Sequence, residues 1–333
     1  PGRLIILFAI PLMLGNICQQ LYTMVDTMVV GQVAGVEALA ALGAVDFLMW
    51  VVTGISTGLT QGFSIQLSQY YGAKDFENLR KSLAHSYRLT AFIAAGVLIL
   101  SQSFASLVLT GLHTPSNIIG MSLLYLRIIF CGIPATAAYN MFASALRAMG
   151  NSKTPLTAMI IASVLNVSLD ILFVAGFGWG VAGAAIATVI AQSFSAVYCF
   201  LILRRIDIVH LTRADFMPAS GMNARLMKLG IPVVFQNIII GVGGLVVQYV
   251  INGYGFLFVA GFTATNKLYG LLEMAAISYG YAIVTYVGQN LGAGKIDRIR
   301  KGVRSSMLLS LLTSLIISAA MFLFGKNINF KLN

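Results

Sequence analysis

The stretch Gln69–Ser82, "QYYGAKDFENLRKS", returns at 289–302 as "QNLGAGKIDRIRKG". Gln69 aligns with Gln289, Gly72 with Gly292, Ala73 with Ala293 and "LRK" with "IRK", all 220 positions apart. A second pair, "IPLMLGN" at 10–16 and "IPVVFQN" at 231–237, is offset by 221. Repetition of whole helix groups is how many transporters are built, with substrate handled between the copies. Both copies begin with the chain entering from the same side, so the repeat is a parallel one of six helices each. A repeat of that period predicts about twelve helices in all. The chain stops at 333 after three helices of the second copy, with a polar tail at 326–333. Helices ten to twelve of the expected architecture are therefore expected to be missing.

Composition makes those helices membrane helices. The chain is 58% hydrophobic and 9% charged, where soluble domains average about 25% charged. Its mean hydropathy is +0.88, and apolar runs long enough to cross a hydrocarbon layer of about 30 Å recur throughout. The net charge of +11 does not indicate nucleic acid, because it is spread over alternate short connections. Lys74, Arg80, Lys81 and Arg88 fall in one; Arg147 and Lys153 in the next; Arg204, Arg205, Arg213, Arg225 and Lys228 in a third; Lys295, Arg298, Arg300, Lys301 and Arg304 in the last. The intervening "GQVAGVE", "GLHTPSN", "GFGWG" and "NGYGFLF" contain no Arg or Lys. That alternation is the positive-inside signature and puts the basic loops and the N-terminus in the cytoplasm of a multi-pass protein of the inner (plasma) membrane. A nucleic-acid surface would gather its charge on one patch. Cys18, Cys131 and Cys199 lie in apolar segments without metal spacing and read as small buried hydrophobes.

The apolar pattern predicts nine membrane helices, at roughly 4–30, 38–71, 83–110, 119–147, 155–175, 181–203, 227–252, 257–289 and 303–325. The fold class is thus an all-α polytopic membrane protein of two lobes. The N-terminal lobe is expected over 1–203, an inter-lobe cytoplasmic linker over 204–226 and a partial C-terminal lobe over 227–325.

Orientation decides which polar groups can meet. In "SVLNVSLDILFV", 163–174, Asn166 and Asp170 are four residues apart on one helical face. Asp26, near the outward end of the first helix, and Thr188, early in the sixth, fall at the same depth. Asn or Thr in a membrane is commonly an interhelical hydrogen bond. An aspartate there is a functional-site hypothesis by default. Two carboxylates brought together in a low dielectric cannot both ionise freely, so such a pair suits the loading and release of H⁺. With the Asn166 and Thr188 oxygens added, the same group offers a hard-oxygen shell for Na⁺. The residues leave the choice of ion open.

The motifs "FAIPLMLGNICQQLYTMVDTMVVGQVAG", "QYYGAKDFENLRKS", "LRAMGNSKTP" and "GQNLGAGKIDRIRKG" resemble the multidrug and toxic compound extrusion (MATE) transporters over the chain to about residue 325. The resemblance implies a MATE-like bundle of two six-helix lobes. In the DinF-like branch an Asp on helix one, an Asn and Asp on helix five and a Thr on helix six form an N-lobe cation site. By motif these are Asp26, Asn166, Asp170 and Thr188. The NorM-like branch carries a Glu shortly after the helix-seven proline, and "PVVFQNIII" has none. Any site on helix ten is expected to be absent from this chain.

Other polar positions divide between roles. Asp46 and the repeat-related Asn266, with Lys267, Glu273 and Tyr139, are candidates for lining a substrate cleft. Each also has a bland role, Lys267 pairing with Glu273 and Tyr139 packing. Arg127 is expected to snorkel, and His85, His113 and His210 sit in loops or at helix ends without ligand spacing. No GxxxxGK[ST] is present, so ATP is not the driver. The resemblance implies a secondary antiporter, monomeric and without a cofactor, that exports lipophilic cations in exchange for Na⁺ or H⁺. A lipid-linked precursor flippase of the same superfamily would want a cationic cavity. An intramembrane aspartyl protease would need a GxGD motif, which neither "YTMVDTM" nor "VSLDILF" supplies. An inert truncated product is the remaining alternative.

Overall fold

The computed structural model describes residues 1–112, 114–252, 274 and 276–329. His113, Asn266, Lys267 and Glu273 lie outside the described residues. The described chain is helical from end to end, as a bilayer requires of segments that must satisfy every backbone group internally. Its helices are α1 (Gly2–Val33), α2 (Val36–Gly43), α3 (Asp46–Ala73), α4 (Phe76–Gly111), α5 (Ile119–Cys131), α6 (Ile133–Ala148), α7 (Lys153–Asp170), α8 (Gly180–Arg204), α9 (Met222–Asn252), α10 (276–292) and α11 (Ile296–Asn329). Six helices are individually long and apolar enough to cross a membrane, and the bent pairs α2–α3 and α5–α6 extend the number to eight. Large apolar side chains such as Phe92, Val164 and Ile239 are exposed. On a membrane-spanning bundle that surface faces lipid.

Two spans expected to be continuous are broken. The segment expected at 38–71 bends between α2 and α3, at Ala44 and Val45. The segment expected at 119–147 bends by 46° at Gly132, where the first residues of α6 include Pro134 and Gly132 lies against Val189. Proline has no N–H to give the preceding turn, so a helix restarts there readily. α7 does not end at Asp170 but widens into a π-helix over Ile171–Gly176. Such turns insert an extra residue and are frequent at functional sites.

Within α1–α8 the packing joins α7 to α8, α1 to α7, α6 to α8 and α3 to α6. A large apolar cluster around Phe63, Leu67, Leu83, Met141 and Leu203 fills one end. A second, with Val30, Leu109, Leu126, Phe130 and Val181, fills the other. The connection between α8 and α9 is not loose. Its 3₁₀ turns, Asp207–Val209 and Arg213–Phe216, lead onto α4. Arg80 pairs with Asp215 at 3.7 Å, Arg88 donates to the Phe216 carbonyl, and the two ring nitrogens of His85 meet Asn223 Oδ1 at 2.7 Å and the Met217 carbonyl at 3.1 Å. His85, expected in a loop or at a helix end without ligand spacing, is a buried anchor for this segment.

The two copies of the repeat meet along a seam in which several contacts recur at equivalent positions. α9 crosses α3 where Gly230 lies against Gly62, and the equivalent Ala9 of α1 and Ala282 of α10 share a small cluster with Ile5 and Tyr279. Asn237 donates to the Gly54 carbonyl at 3.1 Å, while the equivalent Asn16 donates to Ser278 Oγ at 3.2 Å. At the basic ends of α3 and α10, a Cβ on Gly72 would run into the Gln289 carbonyl, and one on Gly292 into the Gln69 carbonyl. Only glycine permits backbones that close. Just beyond, Lys74 (φ 58°) and its equivalent Gly294 (φ 68°) both turn the chain in the left-handed conformation.

Candidate functional site

The strongest candidate site lies inside the α1–α8 bundle, where α1, α7 and α8 pack together. Each of these helices presents a polar pair one turn apart: Tyr22 and Asp26, Asn166 and Asp170, Thr188 and Gln192. Helix packing turns the three pairs toward one another. Asn166 and Asp170 are fully buried and Asp26 is 6% exposed. Asn166 Nδ2 donates to Thr188 Oγ1 at 3.4 Å, and Asp170 stands within electrostatic reach of Asp26.

This place gathers unpartnered side-chain oxygens, the carboxylates among them. Asp26 Oδ1, Asn166 Oδ1, both carboxylate oxygens of Asp170 and Gln192 Oε1 are buried without a hydrogen-bond partner. A buried acceptor left unmade costs about 1–3 kcal/mol, more if charged. Several such oxygens on three adjoining helices are the lining that a proton or a small hard cation satisfies. No group of three or more His, Cys, Asp or Glu side chains converges among the described residues, so the donor set is not that of a transition-metal centre.

Asp46 opens α3 beside the α2–α3 bend; it is exposed and within electrostatic reach of Asp26. Tyr139 is buried in the large apolar cluster. Arg127 is exposed on α5, and its carbonyl accepts from Gln102 Nε2 at 2.8 Å. Sequence reasoning missed three neighbours of the cluster. Tyr22 lies against Gln192 and near Asp26, and buried Tyr125 on α5 is within reach of Asp26, Asp46 and Asp170. The four-residue spacing would have found Tyr22 and Gln192, whereas nothing in the local sequence of Tyr125 points to the site.

Comparisons with known proteins agree with this architecture. The family model described as MatE matches residues 11–172 and 232–330. The chain is 32% identical over 295 residues to the probable multidrug resistance protein YpnP of Bacillus subtilis, covering 89% of this chain and 66% of that protein. It is 28% identical over 330 residues to the probable multidrug resistance protein YoeA of the same organism, covering 97% and 71%. The chain thus spans about two-thirds of the length of these relatives. Among solved structures, a multidrug resistance MATE family transporter in an outward-facing conformation superposes with a TM-score of 0.93 at 22% identity, over 99% of this chain and 74% of that one. A MOP superfamily transporter from Pyrococcus furiosus gives the same score and identity. With the family model matched over most of its length and the bundle shared, this chain belongs to the MatE family of membrane transport proteins.

Proposed function

We propose that the chain exports lipophilic organic cations from the cytoplasm in exchange for Na⁺ or H⁺, as a monomeric antiporter of the plasma membrane with its N-terminus inside. It is read as a transporter and not an enzyme. The observation that carries the reading is the set of unpartnered buried oxygens of Asp26, Asn166 and Asp170 beside Thr188. In the proposed division, 1–203 forms one lobe, 204–226 the linker and 227–325 part of a second lobe, with the tail at 326–333. Alternating access between the lobes exposes the site and a cleft to each side in turn.

The coupling runs through α1. That helix holds Asp26 against α7 and, about three to five turns earlier, carries Asn16 and Ala9 onto α10. When a cation or proton joins Asp26 to Asp170, the pair falls from two negative charges to one, the repulsion between the carboxylates is relieved and α1 can close on α7. When the site empties, repulsion and the search for solvent favour the other arrangement of α1. The names of the two Bacillus relatives support the drug class, and the alternation of basic loops supports the orientation.

The test is ion-driven drug efflux in proteoliposomes under imposed Na⁺ and pH gradients, with the chain extended to the length of its relatives. Efflux that runs equally with no gradient of either ion would overturn the antiport reading. Cation binding to the purified chain, read calorimetrically and lost in Asp170→Asn, checks the site without the need for transport.

A further inference from the structure

A cleft of about 480 Å³ opens at the basic ends of α3 and α10, far along α1 from the aspartates. Its walls come from both copies of the repeat. Leu4, Phe8 and Phe76 give it an apolar side, and Lys74, Lys295 and Arg298 give it three cations. No Asp or Glu is among the described residues that line it. The ion pairs among the described residues are Arg80–Asp215, Lys81–Glu77 and His210–Asp207, so none of the three cleft cations is neutralised by one. The cleft's inner edge is the crossing itself, since Gly72 and Gln289 also line it.

Lys74 adds an independent sign. It is the one residue other than glycine with positive φ among the described residues, and its repeat equivalent is Gly294 at nearly the same angle. A side chain in that conformation costs about 1 kcal/mol that glycine avoids. The second copy of the turn avoids that cost with glycine. The first copy accepts it and adds a lysine to the lining of the cleft.

We infer that this cleft binds the phosphate headgroup of an anionic membrane lipid, with Lys74, Lys295 and Arg298 on the phosphate and the acyl chain along Leu4 and Phe8 of α1. Three cations beside an apolar wall, at the level where basic loops leave the bilayer, match an amphiphile rather than a free anion. The arginine fork and two lysines supply donors in excess of one phosphate's needs. A lipid so held touches α1, α3, α10 and α11 at once, and fastens the two copies of the repeat where their backbones cross. The inference does not depend on which side of the membrane is cytoplasmic or on the coupling ion.

The experiment measures binding of fluorescent phosphatidylglycerol to the purified chain in phosphatidylcholine nanodiscs, with labelled phosphatidylcholine as the neutral probe. Saturable, preferential binding of phosphatidylglycerol is expected. The triple variant Lys74→Gly, Lys295→Gln, Arg298→Gln should weaken it by roughly a hundredfold, at about fivefold per cation. Arg204→Gln with Arg205→Gln and Arg213→Gln removes the same charge elsewhere and should leave it intact. Equal loss in that control would show general attraction to a charged surface and overturn the site. Lys74→Gly alone should weaken binding about fivefold while keeping or raising thermal stability, which excludes misfolding as the cause. Binding of inorganic phosphate as tight as that of the lipid would overturn the lipid as source and leave a site for free phosphate.

Discussion

Asp170 and Asn166 occupy the same face of α7, and their exchange for near-isosteres separates two physical roles. Asp170→Asn keeps shape and one oxygen but removes the charge that a cation must neutralise. Coupled efflux should be lost while the protein still inserts and folds, because removing a buried charge relieves a desolvation cost. Asn166→Ala removes the donor to Thr188 and one unpartnered oxygen but leaves both carboxylates, so it should weaken ion binding without abolishing it. A purely structural hydrogen bond predicts the reverse: Asp170→Asn silent, and Asn166→Ala destabilising by about 0.6 kcal/mol. Efflux measured beside thermal unfolding decides, and full coupled transport by Asp170→Asn would remove the functional proposal. At this scale the sequence was informative because a carboxylate in an apolar run is costly enough to announce itself. Tyr125 was not legible. A tyrosine in a membrane helix packs as readily as it hydrogen-bonds, and only the fold brings it within electrostatic reach of Asp26, Asp46 and Asp170.

At the scale of elements, close backbone approach is a property that single residues can test. Gly72→Ala sets a methyl against the Gln289 carbonyl, backbone that cannot swing aside as a side chain would. Overpacking of that kind costs about 1–3 kcal/mol, and Gly292→Ala should cost as much against Gln69. Gly96→Ala, where a Cβ meets nothing, should be neutral or stabilising by up to about 1 kcal/mol. Thermal unfolding of the three variants tests the crossing, and a silent Gly72→Ala would mean that the helices do not meet there. Among the described residues, the positions of the long helices followed from length and hydropathy, since a bilayer leaves few alternatives; most of the span expected at 257–289 lies outside them. The breaks at Ala44–Val45 and Gly132 and the π-helix at Ile171–Gly176 were not expected. A break inside an apolar run changes neither length nor hydropathy. Pro134 and Gly132 offered a hint, but prolines at 11 and 232 stand inside continuous α1 and α9, so proline alone does not separate a break from a helix that carries on.

For the whole molecule, orientation and charge set the predictions. Single cysteines at Val36 and Lys295 in a cysteine-free background should label from opposite sides of the membrane, Val36 from outside. Labelling of both from one side would reverse or dissolve the alternation of basic loops. A site lined by carboxylates should select lipophilic cations over anions. Resistance conferred only against anionic compounds would contradict the proposal. The internal repeat was legible because its motifs survive at offsets of 220 and 221. Its spatial meaning was not, because offsets do not say which helices touch. The seam supplies that meaning: Gly62 with Gly230 and Ala282 with Ala9, Gly72 with Gln289 and Gly292 with Gln69. Each contact is one surface meeting its own counterpart, the pattern by which identical subunits join about a two-fold axis. A self-complementary surface of that kind needs no second gene. A chain of half this repeat could have closed the same seam by pairing with another copy of itself. Fusion of the two would then free each side of the seam to diverge, as Lys74 and Gly294 have.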